Sequence, residues 1–136
     1  MKSLLLGLVL LVTSATSIAQ TATGCSLDIS KGEFVDNFKF GTLYVNARGH
    51  VPTKLEVALK NGTTLSYNNV SAIPGKENYK WSDDKSHSLY PLTILKVYPF
   101  PGGNVYDFTI KIFDAADTKA KEPVLVLDCR YAFYRM

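Results

Sequence analysis

The sequence has little of the chemistry that most enzymes use. It contains two cysteines, one tryptophan and two histidines, His50 and His87, and both histidines lie in predicted loops. No G-x-S-x-G, H-E-x-x-H or phosphate-cradling glycine loop occurs, which argues against the common hydrolase and nucleotide-binding motifs. Either histidine could serve as a general base, but a solvated loop histidine is the simpler interpretation. A net charge of +3 neither favours nor excludes nucleic acid.

Long hydrophobic runs are also missing beyond the first dozen residues. At the amino terminus, Lys2 precedes nine apolar residues, Leu4 to Val12, and small residues follow at Ser17 and Ala19. This pattern predicts a signal peptide over residues 1–19, and nine apolar residues are too few to span a bilayer. We therefore expect a secreted protein without a membrane partner. Residues 20–136 suit a single domain.

The two cysteines, Cys25 and Cys129, lie near the two ends of the predicted mature chain. In an oxidising compartment an even count suggests pairing, and two cysteines allow one intramolecular disulfide. A metal site or a redox pair is disfavoured, because the cysteines are far apart and form no C-x-x-C motif. We expect neither a metal nor another cofactor.

The carboxyl-terminal half predicts three apolar strands separated by two turns. The strands are 90–98, 105–113 and 123–133, and the turns are rich in proline, glycine, asparagine and aspartate. In the middle strand, apolar and polar side chains alternate, as in a half-buried antiparallel strand.

Residues 31–47 fit two alternatives. Ser30 to Glu33 matches a capping box, and Phe34, Phe38 and Val45 fall at helical spacing. However, the residues from Phe38 to Tyr44 also alternate, and Gly41 weakens a helix. The helix predicts an α+β fold with one helix packed on an antiparallel sheet. The strand alternative predicts an all-β sandwich.

The intervening segment predicts a hairpin and a long loop. Asn61-Gly62 separates two alternating runs between residues 52 and 69, which is a strong hairpin signal. Residues 70–88 read as a loop that Trp81 anchors to the core. Asn61 and Asn69 each begin an N-glycosylation sequon, and Asn61 is the better candidate acceptor at an exposed turn.

The order of several short motifs resembles the small guanyl-specific fungal ribonucleases. The motifs are Tyr67-Asn68-Asn69, Tyr90-Pro91-Leu92, Val97-Tyr98, Pro101-Gly102, Phe108 to Phe113 and Val124 to Cys129. A signal peptide and one cysteine near each end make the chain more similar to the ribonuclease-like effectors of powdery mildew fungi. This resemblance implies the microbial ribonuclease fold, with one helix on an antiparallel sheet.

The resemblance also implies that the catalytic positions are vacant. Leu89 and Leu65 stand where the family has its glutamate and first histidine. Tyr106-Asp107 replaces its arginine, and 124–128 lacks its last histidine. Transesterification needs a base, an acid and a cation on the phosphate, so we expect no ribonuclease activity.

With catalysis lost, the resemblance still implies base recognition by Tyr67, Asn68 and Asn69, whose ring and amides could hold a nucleotide. The expected function is that of a secreted, monomeric fungal virulence effector that binds a host plant protein, such as an immune receptor, or RNA. Translocation into host cells is part of this expectation. The alternatives are a secreted hydrolase that uses His87 with Glu77 or Asp83, and a small all-β structural module.

Overall fold

Strands account for nearly all regular structure in the part of the chain that the structure describes. The computed structural model describes residues 20–76, 79–83, 89–97, 104–116 and 122–133. The strands are β1 (Gln20–Ser30), β2 (Phe38–Asn46), β3 (Val51–Leu59), β4 (Thr64–Tyr67), β5 (Ser71–Ala72), β6 (Lys80–Asp83), β7 (Leu92–Val97), β8 (Val105–Ile112) and β9 (Leu125–Ala132). A short 3₁₀ turn, Gly32–Phe34, follows β1. The predicted signal peptide lies outside the described residues.

All nine strands belong to one antiparallel sheet. Their order is β4-β3-β2-β1-β9-β8-β7-β6-β5, so every pair of neighbouring strands is consecutive in sequence except β1 and β9. The chain thus begins in the middle of the sheet, extends to one edge, restarts at the other edge and returns to the middle. Within the described residues, no helix is long and apolar enough to cross a membrane.

The sheet curls, and its inward face forms the hydrophobic core. On β7 and β8 every second side chain is buried, as expected for strands with one face in the core. The two edges of the curl approach each other: the Tyr67 hydroxyl donates to the Tyr90 carbonyl at 2.8 Å, and the Asn69 N–H donates to Asp83 Oδ2 at 3.2 Å. One sheet therefore supplies both walls of the core.

The predicted α+β fold with a helix on the sheet is wrong, and the all-β alternative describes the class correctly. The proposed capping box forms only the 3₁₀ turn, whose N-cap is Lys31 and has no side-chain cap. Gly32 and Asp36 both adopt positive φ, which a continuous α-helix does not allow. Phe34 is the one residue of this turn whose side chain is buried. From residue 38 onward the chain follows the alternating pattern instead, and this segment forms β2.

The predictions for the carboxyl-terminal strands and the hairpin are confirmed. The three predicted strands correspond to β7, β8 and β9, which pair in sequence. β3 and β4 form the predicted hairpin around Asn61-Gly62. Only Gly62 of this pair has a positive φ, so the connection is a longer loop than the predicted two-residue turn. The predicted long loop over residues 70–88 is wrong in part, because β5 and β6 lie within it. Trp81, on β6, is 1% exposed and lies in the core, as expected.

A disulfide joins Cys25 to Cys129, with an S–S distance of 2.02 Å. The two residues face each other directly across β1 and β9. The disulfide therefore links the first strand to the last. These are the one pair of neighbouring strands in the sheet that are distant in sequence.

Candidate functional site

Strand alternation brings three unusual side chains to one end of the core. Phe108, Ile110 and Ile112 of β8 point inward, and the same alternation turns Tyr106 toward the inward side. Tyr106 pairs with Tyr131 of β9, and Lys96 of β7 pairs with Phe108. The apolar face of the sheet thus ends in tyrosines and a lysine.

The turn between β2 and β3 adds His50 to this end. Gly49 and His50 both have positive φ, and the Asn46 side chain accepts a hydrogen bond from the Arg48 N–H at 2.8 Å. Positive φ costs a non-glycine residue energy, so the turn must be held by its contacts. Those contacts are the rings beneath it. The His50 ring centroid lies 4.2 Å from that of Phe133.

The rings form a layered cluster. Tyr106 and Phe133 stack with centroids 4.7 Å apart, and Tyr131 lies at a small angle to both. Tyr131 is buried, whereas Tyr106, Phe133 and His50 remain partly exposed. We call the set His50, Lys96, Tyr106, Tyr131 and Phe133 the aromatic end. It presents ring surface both to its own members and to solvent.

Lys96 is the most unusual member, because lysine is seldom buried. It is 9% exposed. Its Nζ lies 4.4 Å from the ring centroid of Tyr106 and 5.7 Å from that of Trp81, distances that allow cation–π attraction. Burial lowers the pKa of Lys96. A buried, perturbed cation beside aromatic rings is a recognised sign of a functional site.

His50 is coupled electrostatically to this lysine. Burial lowers the pKa of His50, and the positive charge of Lys96 lowers it further. His50 Nδ1 lies 3.0 Å from Tyr131 Oη. Burial raises the pKa of Tyr131, so the phenol keeps its proton and can donate it to the neutral imidazole. At neutral pH the aromatic end therefore combines a neutral imidazole with the lysine.

Chemically, this arrangement suits recognition of a flat group that carries negative charge. Tyr106, Phe133 and His50 keep part of their ring surface exposed, which a planar group can contact, and Lys96 attracts an anion. In the described part of the chain, no group of three or more histidine, cysteine or acidic side chains could hold a metal ion.

The residues predicted to bind a nucleotide lie elsewhere, on and after β4. The Tyr67 ring is fully buried, and its hydroxyl is bonded to Tyr90. In this conformation it offers no face to a base. Asn68 and Asn69 are exposed, so nucleotide binding at this loop, which stays a prediction, would fall to the two amides.

Both predicted glycosylation sites are exposed asparagines. Asn61 is at the tip of the β3–β4 hairpin, where its Oδ1 accepts from the Thr63 N–H at 2.9 Å. This bond leaves the Nδ2 that would carry a glycan uninvolved. Modification at Asn61 and Asn69 stays a prediction.

Of the three residues predicted to act in the alternative hydrolase, only Asp83 belongs to the described part of the chain. His87 and Glu77 lie outside the described residues. Asp83 is fully buried, and it accepts a hydrogen bond from the Asn69 N–H. It helps to close the two edges of the curled sheet.

Sequence reasoning missed Lys96 and treated His50 as a solvated loop residue. A signal for Lys96 was available: it continues the inward series Leu92, Ile94 on β7, so alternation alone places a cation in the core. The sequence contains no comparable signal for His50, because the contacts of His50 depend on the conformation of the turn between β2 and β3.

Comparisons with protein-family models, with curated proteins and with solved structures found no match for this chain.

Proposed function

We propose that this chain is a non-catalytic binding protein that holds a planar, negatively charged ligand at its aromatic end. The observation that carries the proposal is a buried cation, Lys96, directly beneath the partly exposed ring of Tyr106. Ring surface and positive charge at one end of a curled sheet supply the two contacts that such a ligand needs.

The expected affinity is modest. Stacking of one base-sized ring contributes about 1–3 kcal/mol, and attraction between the ligand's negative charge and the buried charge of Lys96 adds about 2 kcal/mol at a separation of roughly 8 Å. Together these correspond to a dissociation constant of about 1 mM for a single small ligand. A polymer with several such groups would bind more tightly because its later contacts are intramolecular.

A binding role suits the chemistry of the described residues better than catalysis does. His50 is the base at the aromatic end that is neutral at neutral pH, and its hydrogen-bond partner there is the buried phenol of Tyr131. A phenol whose pKa is raised by burial is a poor nucleophile at neutral pH.

The predicted partners, a host plant protein or RNA, remain proposals, as do secretion and entry into host cells. The ribonuclease resemblance suggested these partners, and the fold that it implied is wrong. RNA nevertheless combines a planar base with a phosphate. A mononucleotide is therefore a suitable first probe of the aromatic end.

The test uses the oxidised chain from Gln20 onward and the fluorescence of Trp81, the single tryptophan. Trp81 lies against Lys96, so it should report occupancy. Excitation at the red edge of its absorption limits interference from guanine. We expect guanosine 5′-monophosphate to cause a saturable change at about millimolar concentration, and uncharged guanosine to bind about tenfold more weakly.

Two lysine variants make the test specific. Lys96→Met should bring the nucleotide down to the affinity of guanosine. Lys111→Met, which removes an exposed lysine on the outward side of β8, should leave both affinities unchanged. Equal binding of the two probes to the parent protein, or equal losses in the two variants, would refute the proposal. Release of RNA fragments by the purified protein would refute its non-catalytic part.

A further inference from the structure

A second concave surface lies on the outward face of the sheet, on the opposite side of β7, β8 and β9 from the aromatic end. Six side chains from four adjacent strands line it: Ser26, Val97, Asp107, Thr109, Asp128 and Arg130. Its volume is about 370 Å³, within the range of roughly 300–1,000 Å³ that is typical of small-molecule sites. We call it the outer groove.

Strand register arranges the groove in two rows. In one row Thr109 faces Asp128, and in the other Asp107 faces Arg130. On the β7 side, Leu95 faces Thr109 and Val97 faces Asp107. Each row therefore runs from an exposed aliphatic side chain to polar groups.

The polar groups of the groove hold one another in place. Arg130 donates to both oxygens of Asp107, through Nε at 3.0 Å and Nη2 at 3.2 Å. The Thr109 hydroxyl donates to Asp128 Oδ1 at 3.3 Å. Ser26 donates to the backbone carbonyl of Asp128 at 3.2 Å. Such a network fixes donors and acceptors before any ligand arrives, which lowers the entropy cost of binding.

We infer that the outer groove is a binding site for a neutral carbohydrate. Two carboxylates and one guanidinium leave it with a single net negative charge, which disfavours anions. A cation would have to compete with Arg130 for Asp107. Sugar hydroxyls donate and accept at once, so they match a surface of fixed carboxylate, guanidinium and hydroxyl groups.

Exposed aliphatic side chains beside the polar rows offer a second kind of contact to a sugar. Leu95 is 37% exposed and Val97 is 39% exposed, both on a strand whose outward face borders the polar rows. A pyranose ring has C–H groups on its faces and hydroxyls at its rim. It can therefore cover the aliphatic side chains while its hydroxyls reach the polar rows. This inference is independent of the proposed function at the aromatic end.

The experiment is a ¹⁵N NMR titration of the oxidised chain with neutral tetrasaccharides of glucose, xylose and N-acetylglucosamine. A sulfated oligosaccharide and a polyamine are added separately as charged probes. We expect at least one neutral sugar to shift amides of β7, β8, β9 and the Ser26 region saturably. The charged probes should leave those amides unchanged.

Variants then identify the groups that bind. Arg130→Met and Asp128→Asn should each weaken sugar binding about tenfold, the loss expected for one hydrogen bond to a charged group. Lys111→Met, on the same outward face but outside the groove, should bind normally. The inference is overturned if no neutral sugar binds, if the variants bind as well as the parent, or if a charged probe occupies the groove instead. Nucleotide binding at the aromatic end should persist in all three variants.

Discussion

At the scale of single residues, His50 shows how a loop side chain becomes part of a site. Its positive φ is maintained by contacts with rings that come from β8 and β9. The groups that face it are the phenols of Tyr106 and Tyr131, the ring of Phe133 and the charge of Lys96. Burial among these groups disfavours a protonated imidazole, and so does the positive charge of Lys96.

This environment predicts that stability depends on pH through His50. Its pKa is lowered from 6.5 in the folded chain, so below that pH the unfolded chain binds a proton more readily. Stability should therefore be complete at about pH 7.5 and lower at about pH 5.5. Urea unfolding at both values measures the difference, which His50→Gln should reduce.

Val35→Ala, an exposed substitution that removes no titratable group, is the control and should leave the pH dependence as it was. An unchanged dependence in the His50→Gln variant would contradict the assignment.

Phe34 is a second residue whose role depends on local structure. It is 2% exposed in the 3₁₀ turn and meets Tyr90 edge-on, with centroids 5.2 Å apart, whereas its neighbour Val35 is 49% exposed. Phe34→Ala should reduce the free energy of unfolding by about 3–5 kcal/mol, and Val35→Ala should change it by less than about 0.5 kcal/mol. Chemical denaturation measures both. Similar losses in the two variants would mean that the turn is placed wrongly.

At the scale of elements, the carboxyl-terminal strands and the β3–β4 hairpin were predictable, whereas β1 and β2 were not. β7 and β8 show a clear alternation, because their buried positions are large and, apart from Lys96, apolar. The first half of β1 is made of small and polar residues that stay mostly exposed, so it carries no apolar pattern. The segment from 31 to 47 carried two patterns, and positive φ at Gly32 and Asp36 decided between them.

The disulfide reinforces the one pairing that the sequence order does not favour. β1 and β9 meet across a sequence separation of 104 residues, and closing so long a loop has a large entropy cost. Replacing both cysteines by alanine should reduce the free energy of unfolding by about 2–5 kcal/mol. Far-UV circular dichroism should still show a sheet, because the strand pairs remain. A denaturation midpoint equal to that of the oxidised parent would contradict this role.

At the scale of the whole molecule, alternation shows which face of a strand is buried but not what covers it. A second sheet, or the same sheet curled onto itself, produces the same pattern in each strand. The single curled sheet depends on contacts between its edges, such as Tyr67 with Tyr90, and no local pattern encodes them. For the same reason the aromatic end could not be assembled from the sequence, since its members come from the β2–β3 turn, from three strands and from Phe133 just after β9.

The curl is also what gives the protein a candidate function, because it gathers ring faces and a buried cation at one end of a small domain. The most direct test is a map of NMR shift changes, amide and aromatic, as guanosine 5′-monophosphate is added to the oxidised chain. We predict that the changes centre on His50, Tyr106, Phe133 and the indole of Trp81. Changes confined to Asn68 and Asn69, or to the outer groove, would contradict the account, as would no change at millimolar nucleotide.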